Sequence, residues 1–273
     1  MTYEQILVEQ RGRVAVLTLN RPEKLNAWTP RMMAELTEAM SAAAADNATG
    51  AIVLAANGRA FCAGADVDAV FRKNSEARDA DATAPNPETP RGPNWVTFLR
   101  SLPKPTIAAV QGAAVGIGVT QVLPMDIRIA SEDARFGMFF VKMGLVPELA
   151  SSALLPQMVG QARALEWCLS GRMIGATEAR DAGLVSEVVP ADQLLARAVA
   201  IGEQLSGQSA FAMTSIRELI LTNTNETDLE AAMKREGAAL ENAYRSWEHK
   251  EAIDAFLSKR SPDFQRQPPT PIA

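Results

Sequence analysis

The spacing of apolar and polar positions changes several times along the chain, and each change marks an element. Near the amino end, Gln5–Glu9 and Val14–Leu19 are short aliphatic runs split by Arg11-Gly12, the pattern of two strands in a hairpin. From Pro30 to Ala45 the spacing becomes helical, with Met33, Leu36 and Met40 on one face, Thr29 as cap and Pro30 at the first helical position. Ala51–Ala55 is continuously apolar, as in a strand covered on both faces. These runs predict a strand, helix and strand unit. Residues 72–93, polar and proline-rich without periodicity, predict a loop that covers a site, or alternatively a domain boundary.

Past that stretch, TFLRSL predicts a helix and PTIAAVQG a buried strand leading into GAAVGIGVTQVL, where helical spacing begins at Ile117. MDIRIAS reads as another strand. From Glu148 onward the pattern is almost wholly helical, apart from a strand-like stretch at 184–190, with helices expected over Arg197–Leu205, Ala210–Leu221, Asp228–Tyr244 and Glu248–Leu257. No internal repeat is visible, and the final QRQPPTPIA reads as a frayed tail.

Composition narrows the chemistry. The 273 residues are 47% hydrophobic and 22% charged, which excludes disorder as the main state. Lys and Arg number 27 against 32 Asp and Glu, so no bulk positive field exists to hold nucleic acid or an anionic membrane. The amino end lacks the basic flank and apolar core of a signal peptide, and no run of about 18 apolar residues occurs. A cytoplasmic location is expected. Two cysteines, Cys62 and Cys168, cannot build a zinc cluster. The single histidine, His249, sits among charged neighbours in a helical pattern and reads as a surface residue. Acid–base work then falls to carboxylates, lysine or tyrosine, and no metal is expected.

Two glycine-containing turns each follow a buried strand and lead toward a helix: residues 58–66 (GRAFCAGAD) and 112–118 (GAAVGIG). Such junctions present backbone N–H groups without partners inside the helix, and two of them converging make an oxyanion hole. The dinucleotide reading is weaker, because GAAVGIG lacks the G-x-G-x-x-G spacing. Taken alone, such glycines also serve turns and packing.

The segments NRPEKLNAW, GRAFCAGADV, KPTIAAVQGAAVGIG, MDIRIAS, FGMFFVKMGLVPE and FLSKRSPDF, in this order over nearly the whole chain, resemble the signatures of the crotonase superfamily, the enoyl-CoA hydratase/isomerase family. The resemblance implies an α/β fold, a ClpP-like crotonase spiral of ββα units over residues 1–200, followed by a helical docking and trimerisation region over 201–273. It implies an acyl-CoA thioester as substrate, with coenzyme A as part of the substrate and no separate cofactor. It also implies self-association as a trimer or a dimer of trimers, and neither nucleic acid nor membrane as partner. The thioester oxygen would sit between the N–H groups of Ala65, after Ala63-Gly64, and Ile117, between Gly116 and Gly118. Ile117 in place of a more usual glycine crowds the pocket. Lys24, Ala27 and Ala63 match coenzyme-contacting positions, and Phe256 and Lys259 match positions that reach a neighbouring subunit's ligand. Asp66, Thr120 and Phe140 complete the set expected to line the ligand.

The acid–base positions depart from the hydratase pattern. Where hydratases carry two glutamates, this chain has Thr120 and Phe140, so two-glutamate addition of water is disfavoured. Glu148, in GLVPELASS, falls instead where the family's double-bond isomerases place one catalytic glutamate. One base suffices to take a proton beside the thioester and return it two carbons along. Pro147 is expected to start a helix whose dipole favours ionised Glu148, while Phe139, Phe140 and Leu145 raise its pKa. The preferred reading is therefore conversion of a 3-enoyl-CoA to the 2-enoyl-CoA. Hydration, C–C hydrolysis or decarboxylation are alternatives, and a non-catalytic binder of acyl-CoA or RNA is the rival. Asp66 reads as a helix cap, Asp126 as a strand-start acid able to pair with a lysine, and Thr120 as a residue that back-bonds to its own turn. Met138, Phe139, Phe140, Met143 and Trp95 either line an acyl tunnel or belong to the core.

Overall fold

The computed structural model describes residues 2–72 and 94–265, and the expected loop at 72–93 lies outside these apart from Arg72. Two compact units are distinguished, Met1–Gly202 and Glu203–Ala273.

The first unit is built on two sheets. The six-stranded sheet contains β1 (Ile6–Arg11), β2 (Val14–Leu19), β3 (Ala51–Ala56), β5 (Thr106–Val110), β7 (Ile127–Ser131) and β10 (Glu187–Val189), adjacent in that order. Strands β1 and β2 form the expected hairpin, with Ile6 opposite Leu19 and Arg11 opposite Val14; the remaining pairings are parallel. Parallel strands buried on both faces need continuous apolar runs, and β2, β3 and β5 supply them. The four-stranded sheet contains β4 (Ala60–Cys62), β6 (Ala113–Val115), β8 (Arg135–Gly137) and β9 (Met173–Gly175). Each of these has three residues, too few to leave a periodic signature, and the hydrophobic pattern shows none of them separately.

Helix α1 (Pro30–Ala45) begins where expected: Thr29 accepts the Met32 N–H and Pro30 opens the first turn. It presses Met32, Leu36, Ala39, Met40 and Ala43 onto the sheet face carrying Ala15, Leu17, Ile52 and Leu54. Helix α2 (Trp95–Ser101) is capped by Asn94, and the indole N–H of Trp95 reaches the Gln121 carbonyl at 2.8 Å. The one-turn α3 (Ile117–Thr120) follows β6, and α4 (Ser151–Val159), α5 (Gln161–Ser170) and α6 (Ala176–Asp181) follow β8 and β9. On the opposite face of the six-stranded sheet, α7 (Leu194–Ser206) comes so close that a side chain at Gly202 would strike Val14. Asp126 accepts from the N–H and the hydroxyl of Thr106 at 2.8 and 2.9 Å, which ties the start of β7 to the start of β5.

The second unit contains α8 (Ala210–Asn223), α9 (Leu229–Arg245) and α10 (Trp247–Leu257), close to the expected helices. Glu251 is fully buried, yet it is satisfied by both Nη atoms of Arg260 at 2.5 and 3.1 Å and by the Asp263 N–H at 2.8 Å. That clamp folds the chain after α10 back along it. His249 is half-buried beside Tyr244, with ring centroids 5.3 Å apart. Among the described residues, no helix is long and apolar enough to cross a membrane, and no three His, Cys, Asp or Glu side chains gather as metal ligands.

Candidate active site

The first glycine turn leaves β4 at Cys62 and runs beside residues 25–28. Ala63 N–H donates to Leu25 O (3.0 Å), Trp28 N–H to Gly64 O (2.8 Å) and Asp66 N–H to Trp28 O (2.8 Å). In an extended segment alternate amides face opposite ways, so the N–H of Ala65 points away from this ladder, and no described residue accepts it. Gly64 adopts φ +109°, a conformation that L side chains rarely reach.

The strip facing that turn is held by two residues that the sequence reading passed over. Asn26 is fully buried with φ +52°; its Nδ2 donates to Asn57 O (2.8 Å) and Ala60 O (2.9 Å), and its Oδ1 accepts from Arg21 N–H (2.8 Å). The guanidinium of Arg21 reaches Ala27 O at 2.6 Å and Asp66 at 3.0 Å. A buried asparagine in a turn rich in Pro and Asn is a readable signal, because its side chain can stand in for backbone partners. Lys24 is exposed at the end of the turn Pro22–Lys24, and Ala27 is half-buried. Asp66 caps the turn Val67–Arg72, as expected: its carboxylate accepts from Ala69 N–H (3.1 Å) and Asp68 N–H (3.2 Å). The Ala69 bond, against the effect of burial and with help from Arg21, holds its pKa below the ordinary aspartate value.

The second turn leaves β6 at Val115. Gly116 takes φ +52° and ψ −119°, and its N–H is bound to Gly137 O (2.9 Å). Val119 and Thr120 N–H both fold back on Gly116 O, so the Ile117 N–H, at the head of α3, has no acceptor among the described residues. Gly118 allows this helix to touch the first turn: a Cβ there would lie 2.3 Å from Cys62 O. The two orphan amides thus belong to segments packed against each other. The Ile117 side chain is half-buried and packs against the hydrophobic core.

Three residues beyond Ile117, the fully buried Thr120 donates its hydroxyl to Glu148 Oε1. This corrects the expectation of a back-bond: a carboxylate is a stronger acceptor than the carbonyl of its own turn. Burial raises the Glu148 pKa above the ordinary glutamate value, and the Thr120 bond opposes part of that rise. The expected helix start also moves. Helix α4 begins at Ser151, and Glu148 precedes it in a turn where Leu149 and Ala150 both take left-handed φ, +48° and +54°. Consecutive left-handed residues with side chains cost about 1–3 kcal/mol each and persist where the surroundings enforce them. That conformation separates Pro147 from the helix it was expected to open.

Trp95, Met138 and Phe140 are core residues, Phe139 is half-buried beneath the Lys142 ammonium (4.1 Å), and Met143 is exposed. Phe256 and Lys259 lie on the second unit. Phe256 is 82% exposed, and Lys259, two residues past the end of α10, takes φ +53°.

Two apposed turns with amides that find no acceptor among the described residues, and a buried carboxylate bonded to Thr120 on the second of them, are the features the structure brings together. A model of the enoyl-CoA hydratase/isomerase family matches residues 9–267. The chain belongs to this family. It is 37% identical over 97% of its length to a probable enoyl-CoA hydratase of Mycobacterium bovis, covering 99% of that protein. It is 36% identical over 96% of its length to the 1,2-epoxyphenylacetyl-CoA isomerase of Escherichia coli, covering 98% of that enzyme. Among solved structures, an enoyl-CoA hydratase subunit of Geobacillus kaustophilus superposes with a TM-score of 0.86 at 30% identity, over 97% of this chain and 99% of that one. The fold is that of crotonase enzymes, and the protein is an acyl-CoA enzyme of the hydratase/isomerase type.

Proposed function

We propose that the protein shifts the double bond of an enoyl-CoA from C3 to C2, using one carboxylate and two backbone amides. Glu148 takes a proton from the carbon beside the thioester, the electron pair moves onto the thioester oxygen, and the amides of Ala65 and Ile117 stabilise the enolate. The same carboxyl then returns the proton two carbons along. The observation that carries this reading is the pairing of buried Glu148 with a threonine hydroxyl. Addition of water by two carboxylates would need a second acid where Thr120 or Phe140 stands. The step asks for no metal or redox group, since proton and electrons stay within substrate and carboxyl. Lys24, Ala27 and the Ala63 backbone are assigned to the coenzyme A portion. A second reading, rearrangement of an oxygenated aryl-acetyl thioester, is supported by the name of the Escherichia coli isomerase.

The test is Glu148→Gln, which keeps the shape of the side chain and removes the base. Turnover of a 3-enoyl-CoA should fall by about 10²–10⁴-fold while acyl-CoA binding persists. In heavy water the wild-type product should carry less than one full solvent deuteron at the new methylene. Undiminished turnover by the variant would remove Glu148 from the mechanism.

Assembly as a trimer, or a pair of trimers, is part of the same reading. Helices α8 and α9 bury no residue completely, and they expose Ile216, Ile220, Leu229, Met233 and Leu240. Apolar surface on this scale calls for a protein partner. Sedimentation at micromolar concentration should give a trimer or hexamer; a monomer would refute this and the contact of Phe256 and Lys259 with a neighbour's ligand.

A further inference from the structure

We infer that Thr120 is the positioning residue of the proton transfer, fixing Glu148 through Oε1 so that Oε2 is the atom that carries the proton. The inference rests on the isomerase reading for the reaction, but its geometry stands apart from it. The Thr120 hydroxyl is fully buried and donates to Oε1, and no described residue donates to Oε2. A carboxylate tethered at one oxygen keeps the lone pairs of the other for the substrate.

Thr120 also sets where that oxygen stands relative to the oxyanion hole. It closes the single helical turn that Ile117 opens. The N–H of Ile117 and the hydroxyl of Thr120 thus belong to one four-residue piece, α3, packed against the end of β4 at Gly118. Charge develops on the thioester oxygen as the proton leaves the neighbouring carbon. A fixed spacing between the amide and the base serves both events at once. No bond beyond those of the isomerisation is involved: the C–H proton passes to Oε2, its electron pair to the thioester oxygen, and both return when the proton is delivered to the far carbon.

A hydroxyl suits the role better than a second carboxylate. It donates to the ionised base, and once Glu148 is protonated the bond weakens without any other group needing to titrate. Among the described residues no other ionisable side chain acts on Glu148, so burial and Thr120 together set its proton affinity.

The experiment compares Thr120→Val, which keeps shape and removes the hydroxyl, with Thr120→Ser, which keeps the hydroxyl. Glu148 is followed by carbon-13 NMR of its carboxyl in the substrate-free protein and identified by its disappearance in Glu148→Gln. The titration midpoint should rise in Thr120→Val and return toward wild type in Thr120→Ser. With 3-enoyl-CoA, kcat of the valine variant should fall by about tenfold or more with KM unchanged, and the acid limb of its pH profile should follow the midpoint upward. A folded valine variant with an unmoved midpoint would overturn the inference. So would a raised KM at unchanged kcat, which would make Thr120 a substrate contact. The titration needs no turnover, so a protein inactive on every 3-enoyl-CoA would sink the proposed reaction while leaving the pairing to be judged on the NMR alone.

Discussion

Gly118→Ala is the sharpest probe of the proposed oxyanion hole, because the added methyl presses first on the end of β4. Its carbon would stand 2.3 Å from Cys62 O and 3.0 Å from Cys62 Cβ. Carbon–oxygen contacts relax at about 3.3 Å, so the end of β4 and the head of α3 must part by about 1 Å. Both neighbours are backbone or fully buried, leaving no flexible side chain to yield. The displacement passes to Ile117, whose amide sits one residue away. Misplacement of a reacting group by 1 Å can cost about 100-fold, and complete loss of an oxyanion donor about 2.7–4 kcal/mol, so kcat should fall by about 100-fold. Overpacking should lower stability by about 1–3 kcal/mol. Stopped-flow turnover of a 3-enoyl-CoA, beside thermal unfolding, reads both quantities. Destabilisation together with wild-type kcat would show that the apposition of the two turns supports the fold without setting the hole, and the argument from Gly118 to catalysis would fail.

Burial raises the Glu148 pKa, so the folded protein holds this proton more tightly than the unfolded chain, and stability falls as pH rises from the unfolded glutamate value through the folded one. Glu148→Gln should therefore unfold at a higher temperature than wild type at neutral pH and at the same temperature well below the ordinary glutamate range; calorimetry at the two pH values checks this. In the second unit, Arg260→Met removes the guanidinium that pairs with the buried Glu251 carboxylate. The cost should be at the lower end of about 3–5 kcal/mol, because Arg260 is itself half-exposed and Asp263 N–H still donates. Hydrogen exchange along α10 should rise accordingly, and unchanged protection would assign the clamp no energetic role.

Much of this was readable from residues. The hairpin, α1 with its Thr29 cap, the buried strands and the last three helices follow from spacing and capping chemistry. The two glycine turns stand out because each joins a buried strand to the head of a helix, and Glu148 is picked out by the resemblance of its GLVPELASS context to the family's isomerases. The second sheet was not readable, since three residues cannot show alternation. Nor could the start of α4 be placed: the left-handed Leu149 and Ala150 obey no local preference and are held by tertiary context. The partners of Thr120 and Asp126 depended on which residues the fold brings near, Glu148 and Thr106, twenty or more positions away.

Three strands of the large sheet are each followed within a few residues by a strand of the small one: β3 by β4, β5 by β6 and β7 by β8. Ala65 follows the first such pair, Ile117 and Thr120 the second, and Glu148 the third. The site is thus assembled from one location repeated on successive windings of the chain, and its parts divide by kind. On the proposed mechanism the groups that hold the anion are main chain, which a substitution that spares the winding leaves in place, whereas the groups that handle the proton are side chains that one codon can exchange. On that mechanism, exchanging Glu148 or Thr120 changes the proton chemistry while the two main-chain contacts to the thioester oxygen stay as they are.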